Sequence, residues 1–453
     1  MIVKFQRPAG RAAWRAILPR AIIFLACLVC CTLSIATFSS AVHVHPDAAA
    51  PPKAPTPLSD CEAAGAMCSH LFEDLAWRNA KIKVDALSAF EEAAYEGYIA
   101  RVAIVGGKVY LRRALPRPLN AERARLAAYL TDIVDTADEY PLGDSEFFVS
   151  MADNPFVNKR LTDAERRFPL ATPVLTHSKN DDFADFLIPG FDYRCGNENS
   201  VDELYAWRFG PEGNDSVPWE TRKPVAFGRW TMFCVNNHLA FPYRRDTPCP
   251  RSHLDHIEPG HDDLIDVGST NTYDGSPPSV PKQPMPIRQQ MDTYRYLVST
   301  DGWSSTLKLE KYLLGGAAIM KQQSEARGYY YHALRPGVHY HPFYIDPDDA
   351  VDQAKWLREH DDAAQAMGAA AKAFGKKYFG RPMRRCYLRS LLNGVSEHMG
   401  FQPRCEVMGK ADDAPEDAGN RTSTRCILAR DFLVEVIEEA KARSCDVRLA
   451  HPA

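Results

Sequence analysis

The residues best suited to chemistry lie within Tyr294–Phe343. A predicted strand at Tyr296–Thr300 ends at a turn, and a predicted helix follows with two lysines near its start. The candidate residues of this turn and helix start are Gly302, Ser304, Ser305 and Lys308. Backbone N–H and hydroxyl groups between a strand and a helix bind phosphates in α/β proteins, so the segment predicts a site for a phosphorylated ligand. The same serines would serve an ordinary helix N-cap equally well.

A carboxylate follows another predicted strand. Asp153 comes just after Glu146–Met151 and shortly before Pro155. At the carboxyl end of a sheet strand it could act as a general base and take a proton from a hydroxyl group. The alternative is a turn-forming aspartate that caps the next segment, and the residues alone favour that interpretation.

A third candidate is Arg229, which follows the predicted strand at Val225–Phe227. A planar guanidinium at a strand end suits phosphate oxygens, and Arg244 further along could add charge to the same pocket. A surface arginine is the alternative for Arg229. His339 and His341 flank Tyr340 and share one face of an extended segment. No further metal ligand can be named beside them, so His339 is interpreted as a wall residue.

The N-terminal segment predicts the compartment. Five basic residues and no acidic residue lie in 1–20, and residues 21–42 are almost wholly apolar and uncharged. This run is long enough to cross a bilayer, and the basic flank predicts that the rest of the chain lies across the membrane from the N-terminus. A cleaved signal peptide is the alternative. The Ala- and Pro-rich residues 43–60 predict an extended stem.

The remaining 61–453 is long enough for two domains. The net charge of −4 gives no indication of a nucleic-acid partner. Nine of the twelve cysteines follow the apolar segment, and an oxidising lumen would favour disulfides among them, with Cys61 and Cys68 as one pair. Their spacing is not that of a zinc site, so no metal is indicated.

The remaining pattern alternates strands and helices, which indicates an α/β fold. The predicted segments are a helix at Asp85–Glu96, a hairpin at Arg101–Arg113, a helix at Asn120–Ala137, strands at Val174–Ser178 and Gly315–Met320, a long surface loop at Asp246–Arg288, and helices at Asp349–Phe374 and Cys426–Arg443.

Six segments, in order over most of residues 100–400, resemble glycosyltransferase family 90. This family, whose domain is also called CAP10, contains the protein O-glucosyltransferases of the secretory pathway and the fungal capsule-associated xylosyltransferases. The segments are EFFVSMADNP, PVLTHSKNDDFADFLIPGFDY, WETRKPVAFGRW, YRYLVSTDGWSSTLKLEKYLLGGAAIM, LRPGVHYHPF and DQAKWLREHDDAAQAMGAAAKAFGKKYF.

The resemblance implies a GT-B-like fold, with two Rossmann-like lobes and a cleft between them. The first lobe would span 61–205 and the second 206–400, and 401–453 would pack back on the first lobe. A transmembrane signal-anchor (21–42), with a cytosolic tail (1–20) and a stem (43–60), would precede them.

The implied reaction is an inverting transfer of glucose or xylose from a UDP-sugar to a hydroxyl of a protein or polysaccharide acceptor. Asp153 would be the base, and the donor would contact Arg229, Gly302, Ser304, Ser305 and Lys308. The cleft wall would include Ser178, Lys179, Arg244 and His339. No cofactor is required by this scheme, and a divalent metal is not indicated. The location would be a Golgi or endoplasmic reticulum membrane. The alternative is a non-catalytic glycan- or protein-binding relative on the same scaffold.

Overall fold

The protein is described by a computed structural model over most of the region after residue 80. The described residues are 68, 71, 81–93, 98–112, 121–162, 168–193, 200–211, 213, 217–233, 250–257, 260–272, 281–345, 347–407 and 425–442. Within them, no helix has both the length and the apolar composition needed to cross a membrane. The predicted tail, anchor and stem lie outside the described residues, as do Arg244 and Cys61.

The first sheet combines strands from both ends of the described chain. Its strands are β1 (Ile99–Val105), β2 (Lys108–Leu111), β3 (Ser145–Ser150), β4 (Val174–Thr176), β5 (Phe186–Leu187), β11 (Glu406–Val407) and β12 (Arg425–Leu428). They lie in the order β11-β12-β2-β1-β3-β4-β5. Strands β3, β4 and β5 run parallel, so their carboxyl ends meet at one edge.

Three helices flank this sheet: α1 (Val84–Ala93), α2 (Ala121–Glu139) and α10 (Ala429–Ala442). Helix α10 packs on α2, where the guanidinium of Arg123 covers the ring of Phe432 and pairs with Glu435 at 2.7 Å. A disulfide joins Cys405 to Cys426 in β12. The C-terminal segment therefore lies on the first sheet.

The second sheet is entirely parallel. Its strands are β6 (Lys223–Met232), β7 (Ile265–Thr272), β8 (Tyr294–Ser299), β9 (Ala318–Gln322) and β10 (His341–Phe343). Their order is β10-β9-β8-β6-β7, so the direction of winding reverses between β6 and β8. In open parallel sheets, ligands bind in the crevice beyond the carboxyl ends of the strands at such a reversal.

Helices of this half of the chain cover the second sheet and connect it to the first. They are α3 (Val201–Phe209), α4 (Pro250–Ile257), α5 (Ile287–Thr293), α6 (Lys308–Tyr312), α7 (Ala350–Glu359), α8 (Asp361–Tyr378) and α9 (Arg381–Glu397). The central strand β8 is buried along almost its whole length, as expected for a parallel strand that is covered on both faces.

Most of the predicted elements are confirmed within a few residues. The predicted hairpin is β1 and β2, which turn at Gly106 and Gly107. Both glycines have positive φ (56° and 74°), a conformation that side chains with a Cβ rarely adopt. The predicted helices near residues 85 and 120, the strands that precede Asp153, Ser178 and Asp301, and the strand β9 that contains Lys321 are also present.

Two predictions are wrong. The predicted surface loop at Asp246–Arg288 contains α4 and the edge strand β7, whose second half is too polar to be recognised as a strand. The predicted helix at Asp349–Phe374 is two helices that break at His360. Asp361 begins the second helix and accepts hydrogen bonds from Trp219, Arg295 and Tyr296, so contacts with the second sheet hold the chain at this break.

Helix α9 ties the two halves together through a buried arginine. Arg384 is fully buried and donates to Asp132 of α2 at 3.1 Å and to Asp202 of α3 at 2.8 Å. Further along the same helix, the Tyr387 hydroxyl donates to the carbonyl of Leu187 in β5 at 2.6 Å. A helix that follows the second sheet in sequence is thus bonded to the first.

We expect Arg384→Met to lower the free energy of unfolding by about 3–5 kcal/mol, because it removes the buried cation that Asp132 and Asp202 share. Urea unfolding of the purified protein measures this change. The matched control is Arg430→Met, since Arg430 pairs with Asp138 at the surface. It should cost less than about 1 kcal/mol. Equal effects of the two substitutions would contradict the role of Arg384.

Candidate active site

A cavity of about 290 Å³ lies at the reversal point of the second sheet, beyond the carboxyl ends of β6 and β8. The first sheet contributes the opposite wall through the segments that follow β3 and β4. The polar residues that matter below are Asp153, His177, Arg251, Ser304, Ser305, Lys308 and Lys311. Trp230, Phe233 and Trp303 add aromatic surface, and the rings of Phe233 and Trp303 lie 4.8 Å apart.

Five of the residues nominated from sequence line this one cavity. Asp153 comes from the first sheet, and Gly302, Ser304, Ser305 and Lys308 come from the segment after β8. Nearly 150 residues separate these two segments in the chain, and each follows a strand of a different sheet. The cavity therefore combines an acid from one half of the chain with hydroxyl and cationic groups from the other.

The two segments are bonded to each other where they meet. The backbone N–H of Ser305 donates to the hydroxyl oxygen of Ser178 at 3.0 Å. Ser178 is completely buried behind the cavity lining, so this bond is shielded from water. It fixes the segment after β8 against the segment after β4.

His177 was not nominated from sequence, although it stands in the quoted segment PVLTHSK. Its Nε2 lies 3.6 Å from Oδ1 of Asp153 and 3.4 Å from Oγ of Ser304. Its Nδ1 lies 3.3 Å from the hydroxyl of Tyr129. Burial lowers the pKa of His177 to about 4, while the charge of Asp153 acts in the opposite direction. The imidazole is therefore neutral near pH 7.

The neutral imidazole can satisfy all three contacts in one tautomer. In the tautomer with the proton on Nε2, Nδ1 accepts a hydrogen bond from the Tyr129 hydroxyl, which can donate or accept. Nε2–H then points to Asp153 and Ser304, both of which can accept. In this tautomer the neutral His177 faces the Ser304 hydroxyl at 3.4 Å and lies 3.6 Å from the Asp153 carboxylate, without adding a charge to the cavity.

Arg229 does not line the cavity with its side chain. Its guanidinium pairs with Asp266 of β7 at 2.6 Å and lies over the ring of Phe227. Successive side chains of a strand point to opposite faces, and β6 continues through Arg229 to Met232, beyond its predicted end. The neighbouring Trp230 and Thr231 line the cavity instead.

Arg251, at the start of α4, lines the cavity in which Arg229 was predicted to lie. It is buried, and its guanidinium donates to the carbonyls of Thr231 and Thr300 at 2.7 and 3.1 Å. Its Nε is buried and has no hydrogen-bond partner among the described residues. A Cβ on Gly302 would lie 3.1 Å from Nη1 of Arg251, so this glycine leaves room for the guanidinium.

Two lysines add to the positive charge. Lys308 donates to the backbone carbonyl of Arg229, and Lys311 pairs with Asp192 at 2.7 Å. Burial, together with the charges of Arg251, Lys311 and Arg229, lowers the pKa of Lys308 to about 7. Burial also lowers the pKa of Arg251 to about 10. Both shifts arise mainly from burial, and a bound anion would act in the opposite direction.

The other wall candidates lie elsewhere. Lys179 is buried and forms an isolated backbone bridge with Arg327, outside the cavity lining. His339 packs on Phe374 and accepts the N–H of Arg335 at 3.0 Å, also away from the cavity. Arg244 is not among the described residues.

Within the described part of the chain, no group of three His, Cys, Asp or Glu side chains could hold a metal ion. The expectation that the reaction requires no metal stays a prediction.

This arrangement defines an α/β protein with a cavity at a sheet reversal that is lined by cationic side chains and a facing carboxylate. The chain belongs to glycosyl transferase family 90, whose model matches residues 61–447. It is 21% identical over 287 residues to Protein O-glucosyltransferase 3 of Mus musculus, a match that covers 62% of this chain and 54% of that relative.

Two further relatives show the same level of similarity. Protein O-glucosyltransferase 2 of Danio rerio is 22% identical over 279 residues, covering 61% of this chain and 52% of the relative. Protein O-glucosyltransferase 1 of Homo sapiens is 22% identical over 277 residues, covering 57% and 64%. The chain spans about half the length of the first relatives that it matches.

The contacts of His177 predict its titration. We expect its pKa to be near 4, and we expect Asp153→Asn to lower it further, because the substitution removes a negative charge that favours the imidazolium. Imidazole NMR signals of the histidine-labelled protein measure both values, and His177→Gln identifies the signal. A midpoint near the ordinary value of about 6.5, unchanged in Asp153→Asn, would contradict the geometry described here.

Proposed function

We propose that the protein is an inverting glycosyltransferase that moves a sugar from a UDP-sugar to a hydroxyl group of a protein or glycan acceptor. Glucose and xylose are the favoured sugars, from the family resemblance. The observation that carries the proposal is the single cavity in which Asp153 faces Arg251, Lys308 and the serines after β8. Family membership supports the reaction class.

Asp153 would act as the general base. The acceptor hydroxyl would give its proton to the carboxylate while its oxygen forms a bond to the anomeric carbon. The bond between that carbon and the diphosphate oxygen would break on the opposite side, and UDP would leave with the electron pair. Asp153 is one-quarter exposed, so the proton could pass on to solvent. Such a base typically contributes about 10²–10⁴-fold in rate.

The cations would stabilise the departing diphosphate. Arg251 can offer a planar fork of donors, and Lys308 can offer a point charge at the start of α6. The hydroxyls of Ser304 and Ser305 would add neutral hydrogen bonds. Fixed charges of this kind stabilise the negative charge that develops on the leaving group in the transition state. This stabilisation is usually the largest single contribution to catalysis. Phe233 and Trp303, whose rings are tilted by 60° to each other, would give apolar aromatic surface for the uracil ring.

The two sheets would correspond to the two lobes of a GT-B fold, with the cavity in the cleft between them. The parallel second sheet would hold the donor, and the first would hold Asp153 and face the acceptor.

A signal-anchor at 21–42 would fix the protein in a Golgi or endoplasmic reticulum membrane, with the catalytic part in the lumen. No divalent metal would be needed, since Arg251 and Lys308 supply the positive charge.

The first test of this function is Asp153→Asn. The protein is incubated with a panel of UDP-sugars without added metal, and released UDP is measured. We expect slow hydrolysis of one sugar by the wild type and a loss of at least about 100-fold in the variant. UDP affinity should change little, because the carboxylate contacts the acceptor side.

The control is Asp263→Asn, since this exposed carboxylate pairs with Arg358 at the surface. Its turnover should equal that of the wild type. Normal turnover of Asp153→Asn would exclude the base. Failure of the wild type to bind UDP or release it from any sugar would favour the alternative, a non-catalytic glycan- or protein-binding relative.

The second test separates the two arginines. We expect Arg251→Met to weaken UDP binding by about 10–100-fold, the usual loss for hydrogen bonds to a charged group. Arg229→Met should change the affinity less than about threefold, because its guanidinium is paired with Asp266 away from the cavity. Calorimetric titration with UDP measures both. If Arg229→Met weakened UDP binding more than Arg251→Met did, the diphosphate would be bound by Arg229 and not by Arg251.

A further inference from the structure

A second cavity, of about 230 Å³, lies one strand further along the second sheet. It is bounded by the carboxyl end of β9 and by the turn that leads into β10. The residues that carry its chemistry are Lys321, Ser324, Arg327, Tyr331 and Tyr340. None of them lines the cavity that contains Asp153.

Lys321 is the unusual residue of this second cavity. It is 7% exposed, and its ammonium donates to the carbonyl of Gln322 at 2.9 Å. The same ammonium lies 4.8 and 5.7 Å from the ring centroids of Tyr331 and Tyr340. Burial lowers the pKa of Lys321, and the charge of Asp301 only partly offsets this effect. No carboxylate of the described residues forms an ion pair with this lysine.

The rest of the lining favours a negatively charged occupant. The described lining contains no acidic residue. Arg327 pairs with Asp181 at 2.7 Å, and both side chains are largely exposed, so this pair can readily exchange for another. The Tyr331 hydroxyl is buried and has no hydrogen-bond partner in the described part of the chain. A buried cation and a buried hydroxyl donor together suit a carboxylate.

The second cavity is connected to the first by a short chain of hydrogen bonds. Arg251 donates to the carbonyl of Thr300, and the Thr300 hydroxyl donates to the side-chain oxygen of Gln322 at 2.7 Å. The carbonyl of Gln322 accepts from Lys321. The two cavities therefore lie at the ends of neighbouring strands, β8 and β9.

We propose that this cavity binds a carboxylate-bearing sugar ring of a glycan acceptor, an assignment that rests on the proposed transferase function. Lys321 and the Tyr331 hydroxyl would hold the carboxylate, and the two tyrosine rings would contact the apolar face of the sugar. The donor's own negative charge is on its diphosphate, which Arg251 and Lys308 serve in the first cavity. A cavity of about 230 Å³ has room for one sugar ring, whereas an extended peptide needs a longer groove or a strand edge.

The test uses the full chain and two sugars, methyl β-glucuronide and methyl β-glucoside, which differ in the carboxylate. Saturation-transfer NMR titrations measure their affinities. We expect the glucuronide to bind at least about tenfold more tightly than the glucoside, and we expect Lys321→Met to remove that preference. Tyr331→Phe should weaken glucuronide binding without affecting the glucoside. The control is Lys355→Met, since Lys355 is 64% exposed on α7, and it should behave as the wild type.

Equal binding of the two sugars, no binding of either, or unchanged preference in both Lys321→Met and Tyr331→Phe would overturn the proposal. Binding of an N-acetylated glutamate peptide in place of the glucuronide would also overturn it, in favour of an acidic protein acceptor. UDP affinity is measured on the same samples. If the wild-type protein failed to bind UDP, that result would count against the transferase function. The glucuronide titration reports on the second cavity alone.

Discussion

The chemistry of the cavity depends on how the two halves of this protein meet, and a buried hydrogen bond joins them there. The backbone N–H of Ser305, after β8, donates to the hydroxyl of Ser178, after β4, in a buried position. His177 lies beside this bond and reaches both Ser304 and Asp153. Because the acid comes from the first sheet and the cations come from the second, the chemistry of the site depends on their separation. The Ser305–Ser178 bond and the Arg384 cluster hold that separation at two points.

The site is built with excess positive charge. Arg251 and Lys308 lie within one cavity, and burial lowers the pKa of each. Keeping such groups out of water destabilises the unliganded protein, and a bound diphosphate would offset that cost. The same reasoning applies to Lys321 in the second cavity. In both cavities, buried cations therefore lower the stability of the folded chain.

The sequence allowed the strand ends to be predicted, and with them Asp153 and the serines after β8. Each follows a short apolar run that ends in turn residues, and a sheet brings such ends to one edge. The two arginines could not be distinguished in this way. Arg229 lies within a strand that continues past a glycine, and its orientation depends on register. Arg251 lies in a segment that appeared too polar and proline-rich to contain a helix.

Other features depended on contacts that no local pattern reveals. The break between α7 and α8 has neither proline nor glycine, and it is held by donors from the second sheet to Asp361. His177 lies in a segment whose other residues are ordinary strand and turn residues, so its role appears only when Tyr129, Asp153 and Ser304 are seen around it. Tertiary contacts override local preference at both places.

The Cys405–Cys426 disulfide spans a sequence separation of 21 residues and anchors β12, the strand that completes the first sheet beside β2. Helix α10 follows directly. A protease that cut the backbone between these cysteines would therefore not release the C-terminal piece. The cleaved chain would migrate as one species on a gel until a reducing agent separated it into two fragments. Backbone continuity and the integrity of the fold are thus separate properties in this part of the molecule.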